Sequence, residues 1–213
     1  MADSTFDPSA SRLSFESTET LIDASPLILK FNRRSVTNAT IYSHTFPVYR
    51  ISTNKDGTKT DVYDTLGNET RIATIKRREF LPDVIKYRNR GNGTAANDVV
   101  KINNWLKYEK LEGGLTGVSF DSTCGQLTWR YGQLERYRLA LYKSKDFSNP
   151  IAYLDLSEPG IPILLRISPG YQYLVEDILM SALILEYKLK MFERLKKHDL
   201  LYGPILGSLV SFR

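Results

Sequence analysis

The stretch Leu174–Lys197 constrains this chain more than any other. It contains no Gly or Pro and is rich in strong helix formers. Glu176 and Asp177 stand near its start and Arg194, Lys196, Lys197 and His198 near its end, a polarity that suits the helix dipole. From Ile178 to Leu185 only Ser181 is polar, so every direction around the helix is apolar. Such a helix is either enclosed by protein or immersed in a bilayer. Glu176, Asp177, Glu186 and Lys188 confine the charge-free part to Ile178–Leu185, whereas a span needs about 20 residues. The expectation is therefore no transmembrane span, and a helix over about 172–197 enclosed by the rest of the chain.

What precedes the helix reads as β structure. Short segments rich in β-branched and aromatic residues follow one another from Leu27: Leu27–Phe31, Thr40–Ser43, Phe46–Thr53, Lys59–Tyr63, Arg71–Arg78, Val84–Arg88, Asp98–Ile102 and Trp105–Tyr108. Thr116–Phe120, Gln126–Tyr131, Arg136–Lys143, Ile151–Leu156 and Pro162–Ile167 continue the series. Turn signals such as Asn54-Lys55-Asp56-Gly57 and Leu66-Gly67-Asn68 separate them. A ring of about twelve strands leaves a lumen too wide for side chains alone to fill. The expected fold is thus mainly β: a closed antiparallel barrel of about 12 strands enclosing the hydrophobic C-terminal helix.

Three regions follow. Residues 1–25 carry nine Ser/Thr, five acids and one base, which reads as a disordered acidic leader without a secretory signal. Residues 26–198 form the expected barrel and central helix, and residues 199–213 an apolar tail. The whole chain has 29 Lys+Arg against 24 Asp+Glu, a net +5. Removing the −4 leader leaves +9 on the remainder. A single cysteine, Cys124, excludes an internal disulfide and a multi-cysteine zinc site. Cys124 and the two histidines, His44 and His198, show no metal-ligand or nucleophile–base spacing, so no catalytic residue, metal or cofactor is expected. Location is expected to be intracellular, cytoplasmic or peripheral at a membrane. Nucleic acid is not an expected partner, because Trp105, Trp129 and the tyrosines fall at strand positions that read first as core.

Several segments are similar to a known family. They are Asn38-Ala39-Thr40-Ile41-Tyr42 with Val48-Tyr49-Arg50-Ile51-Ser52-Thr53, then Arg71-Ile72-Ala73-Thr74-Ile75-Lys76. Gly125-Gln126-Leu127-Thr128-Trp129 with Leu139-Ala140-Leu141-Tyr142, Ile151-Ala152-Tyr153, and Tyr173 through Leu179 complete the set. In this order they resemble the fungal, mainly basidiomycete, domains of unknown function with a tubby-like (LURP-one-related) β-barrel, over roughly residues 27–192. The resemblance implies that barrel. It brings no catalytic residue, since the fungal members have no established activity. The wider tubby-like group includes membrane-associated phosphoinositide binders and scramblase-like proteins.

The candidate binding residues are basic. Arg71–Arg90 is the densest cationic stretch, and Lys76, Arg77, Arg78, Lys86, Arg88 and Arg90 are its candidate anion-binding residues. If Ala73 and Ile75 face inward, Lys76 and Arg78 project to solvent. These bases either meet anionic phospholipid, including phosphoinositide, at a membrane surface, or guard sheet edges against pairing. A second set lies at the helix end: Lys196, Lys197, Leu200, Leu201, Ile205 and Leu206. It would contact a membrane or a protein partner, or pack across the barrel mouth. The leading expectation is a non-enzymatic lipid-binding module. The alternative is a protein-interaction or structural module using the tail, and a hydrolytic enzyme ranks third.

Overall fold

The computed structural model describes residues 25–88, 99–111, 116–131, 137–143, 147–155 and 162–202. Within them thirteen strands form one antiparallel sheet. The first seven are β1 (Leu27–Phe31), β2 (Thr40–Ser43), β3 (Phe46–Thr53), β4 (Lys59–Asp64), β5 (Thr70–Lys76), β6 (Val84–Tyr87) and β7 (Val99–Lys101). After the one-turn helix α1 (Ile102–Trp105) come β8 (Lys107–Lys110), β9 (Thr116–Ser122), β10 (Gly125–Tyr131), β11 (Leu139–Lys143), β12 (Ala152–Asp155) and β13 (Leu164–Ile167). A 3-10 turn at Gln172–Leu174 leads into α2 (Val175–Tyr202). The strand order is β7-β6-β5-β4-β3-β2-β1-β13-β12-β11-β10-β9-β8. Each half of the chain is a meander, and pairing of β1 with β13 joins the halves.

Register follows the period-2 alternation of strands. Val118, Trp129, Leu141, Ala152 and Ile167 lie side by side across β9 to β13, all buried. On the other half Val62, Ala73 and Tyr87 make the equivalent inner row across β4 to β6. α2 fills the concave side. Every residue from Ile178 to Glu186 is buried, which accounts for a helix apolar on all sides. Its partners come from both halves: Trp129 of β10 donates its indole N–H to Ser181 Oγ at 2.9 Å, and Arg77, just past β5, lies over the Tyr187 ring.

The expected closed barrel is not what forms. The sheet has two ends, β7 and β8, and no ladder joins them among the described residues. The physical reason lies between them. Residues read as the strands Asp98–Ile102 and Trp105–Tyr108 instead place Ile102–Trp105 in α1. That helical turn interrupts the extended backbone needed to continue a ladder. Its Ile102 N–H donates to Asp83 O at 2.9 Å, and Ile102 and Leu106 are buried in the core. The strand count is thirteen where about twelve were expected, and α2 extends to Tyr202, past the anticipated end near 197. Residues 1–24 of the expected leader and 203–213 of the expected tail lie outside the described residues.

Candidate functional site

The basic stretch Arg71–Arg90 folds as β5, a loop and β6, and this hairpin separates its cations. Thr74 pairs with Lys86, and Lys76 with Val84. Ala73, Ile75, Ile85 and Tyr87 point to the core, so Lys76 and Lys86 occupy the outer face. The outer row containing Lys76 crosses four strands as Lys59, Lys76, Val84 and Lys101. Like charges opposite one another are unfavourable. Asp61, one row away, offsets part of this by pairing with Lys59 at 2.7 Å and Arg71 at 3.8 Å. Burial works against the Asp61 carboxylate, but Lys59, Thr74 and Arg71 outweigh it and hold its pKa below the usual value.

Arg77 does not join that face. Its guanidinium packs 3.7 Å from the centre of the Tyr187 ring and donates from Nη1 to Gly57 O at 3.0 Å and Thr60 Oγ1 at 2.9 Å. Burial lowers its pKa, with Tyr187 and Asp83 acting in the other direction. Gly57 is needed where the β3–β4 turn meets α2: it has φ +70°, and a Cβ there would sit 2.9 Å from the Tyr187 hydroxyl. Arg77 therefore ties this turn to the end of the sheet from which α2 emerges.

Arg78 is exposed, and its backbone N–H donates to Asp83 Oδ1 at 3.0 Å, closing the loop to β6. At the tip of this loop Phe80 is 95% exposed and Leu81 61% exposed. Arg88 lies at the opposite end of the hairpin, its N–H bonded to Ile72 O, and Arg90 lies outside the described residues. Lys196 and Lys197 are exposed on α2, with Lys196 Nζ 4.5 Å from the Phe192 ring centre. Leu200 and Leu201 belong to α2, while Ile205 and Leu206 lie outside the described residues.

The structure thus gathers a rim where the sequence showed two separate stretches. Arg77 N–H bonds Thr58 O, and Lys190 Nζ reaches Arg34 O at 3.4 Å, so the turns near 34–38, 54–58 and 77–83 surround emerging α2. Between two of these turns and the helix runs a polar groove of about 870 Å³. Arg34, Lys55, Lys190, Arg194 and Lys197 line it against Asp56 and Glu193. Phe80 and Leu81 were missed as site residues, although an apolar pair between Glu79 and Pro82 in a turn, with no core to fill, is a legible signal. Cys124 lies in the β9–β10 turn with its Sγ 3.2 Å from Ser122 Oγ. Among the described residues no His, Cys, Asp or Glu side chains gather as a metal site, and no helix is long and apolar enough to cross a membrane.

Fold and rim together define a class: an antiparallel β protein curled around one buried helix, with a cationic and apolar rim where that helix emerges. A family of unknown function, DUF6593, has a family model that matches residues 34–191, from the loop before β2 into the emerging part of α2. The chain belongs to this family. No curated protein and no solved structure matches it.

Proposed function

We propose that the protein docks on anionic phospholipid bilayers through the rim from which α2 emerges. The observation that carries this reading is the 78–83 loop, which holds Phe80 and Leu81 out in solvent beside Arg78. Burying one such side chain is worth about 1.5–3 kcal/mol. Each cation close to an anionic leaflet adds about 1 kcal/mol. Either contribution alone gives marginal attachment, and the two together give stable attachment. Lys76 and Lys55 supply further charge near the loop, and Lys196 and Lys197 extend it along α2.

Vesicle flotation tests this reading. Full-length protein should float with phosphatidylcholine vesicles that contain phosphatidylserine or a phosphoinositide, and remain below with phosphatidylcholine alone. Phe80→Ala combined with Leu81→Ala should weaken binding at least about tenfold, as should Lys76→Glu with Arg78→Glu. Arg88→Glu, at the far end of the hairpin, should leave binding unchanged. Equal flotation of all these variants, or none by the parent protein at low salt, sinks the proposal.

A further inference from the structure

Beside α2, where the sheet stops short of closing, lies an apolar cleft of about 260 Å³. Ile75, Ile102, Ile184, Met191, Phe192 and Leu195 form its walls. Its polar side chains are Arg77, Asp83, Tyr187 and Lys188, two cations against one carboxylate. That carboxylate already accepts the Arg78 N–H, and Arg77 is partly committed to Gly57 and Thr60. The Lys188 ammonium lies 5.4 Å from the centre of the Tyr108 ring. Burial lowers the Lys188 pKa, with Asp83 opposing and Arg77 reinforcing the shift. A second, mainly apolar space of about 510 Å³, lined by Leu185, Leu189 and Tyr108 with Glu109, Lys110 and Thr116 on its β8–β9 side, adjoins the first at Lys188 and Phe192.

We infer that this cleft binds a medium-chain fatty-acid anion, with the alkyl chain along Ile75, Ile102 and Met191 and the carboxylate at Lys188 and Arg77. Charge complementarity selects the head group, because two cations face one carboxylate. Size selects the tail, because a cleft of about 260 Å³, smaller than most ligand pockets, takes no more than one slender chain. Met191 and Leu195 remain 39% and 48% exposed along the cleft, apolar surface that an alkyl chain would cover. The inference goes beyond bilayer docking and does not depend on it, because the ligand is taken as a monomer from solution.

Calorimetric titration of the full-length protein with laurate, below its micelle concentration and without vesicles, is the test. Laurate should bind one per chain, and dodecyltrimethylammonium, with the same tail and the opposite charge, at least about tenfold more weakly. Met191→Trp, which fills the cleft from a half-exposed position, should lower laurate affinity at least about tenfold without lowering the melting temperature. Lys188→Met should narrow the preference for the anion. Absence of saturable laurate binding overturns the inference, as does equal affinity for the two amphiphiles or indifference to Met191→Trp. A dimer in sedimentation that takes up no laurate would assign the cleft to a second copy of the chain and overturn it too.

Discussion

Ser181 shows how one residue can decide whether a helix fits its enclosure. Its hydroxyl donates to the backbone of the preceding turn, at Asp177 O (2.7 Å) or Ile178 O (3.0 Å), and accepts the Trp129 indole N–H at 2.9 Å. Both side chains are fully buried. Replacing Ser181 by Ala strands the indole donor, and a buried donor left unpaired costs about 1–3 kcal/mol. Urea unfolding should show that loss for Ser181→Ala and a much smaller one in a Trp129→Phe background, where no donor remains. Arg77 teaches a different lesson at the same scale. Strand alternation already places it on the side of Ala73 and Ile75, and the structure turns it to Tyr187 accordingly. Grouping it with Lys76 and Arg78 by charge alone overlooked that parity.

At the scale of elements, α2 has two parts with different environments. From Ile178 to Glu186 it is buried all round, and from Met191 to Lys197 it is largely exposed. Leu183→Asp should cost several kcal/mol and unfold the protein, because a buried unpaired charge approaches total stability. Leu195→Asp on the same helix should change stability by no more than about 0.5 kcal/mol. Circular dichroism during denaturation separates the two, and a cooperatively folded Leu183→Asp variant would show that α2 is not the core. The boundary between the parts carries Glu186, fully buried and bonded to Arg138 Nε at 2.5 Å, with Lys190 at 3.4 Å. Arg138 also holds Glu193 at 2.8 Å. Burial raises the Glu186 pKa despite Arg138 and Lys190. Arg138→Met removes the main compensation and should cost about 3–5 kcal/mol at neutral pH. A carboxyl whose folded pKa exceeds its unfolded one destabilises fully above the folded value, and protonation relieves this as pH falls toward the ordinary Glu value of about 4.3. The penalty for Arg138→Met should therefore shrink on acidification, and a pH-independent penalty would contradict the burial of a charged Glu186. Sequence polarity correctly located the helix but placed its end near 197. The basic residues there mark where α2 leaves the core, and the first residue unfavourable to a helix is Gly203, just beyond its end at Tyr202.

At the scale of the whole molecule, strands were legible because each is a local pattern: alternating apolar residues between turn formers. Closure was not, because it depends on whether two short end strands pair across a helical turn. Ile102 and Trp105 have strand-like side chains, yet they flank Asn103-Asn104 and fold as α1, so the chain turns inward where a ladder would have continued. The two edges this leaves are short and carry Lys101 on β7 and Lys107 and Lys110 on β8. Edge lysines oppose strand addition by another chain, so the edge-guarding role considered for Arg71–Arg90 falls instead to residues at the seam. An open sheet makes a prediction that a closed barrel does not. β7 pairs only with β6 and β8 only with β9 among the described residues, whereas β1 and β13 each have a strand on both sides. Local opening is easiest where one side of the ladder is missing. In native-state hydrogen exchange, amides of Val99–Lys101 and Lys107–Lys110 should lose protection at least about tenfold faster than those of β1, β13 and the buried turns of α2. Equal protection around all thirteen strands would require β7 and β8 to be joined, and the open sheet would then have to be abandoned.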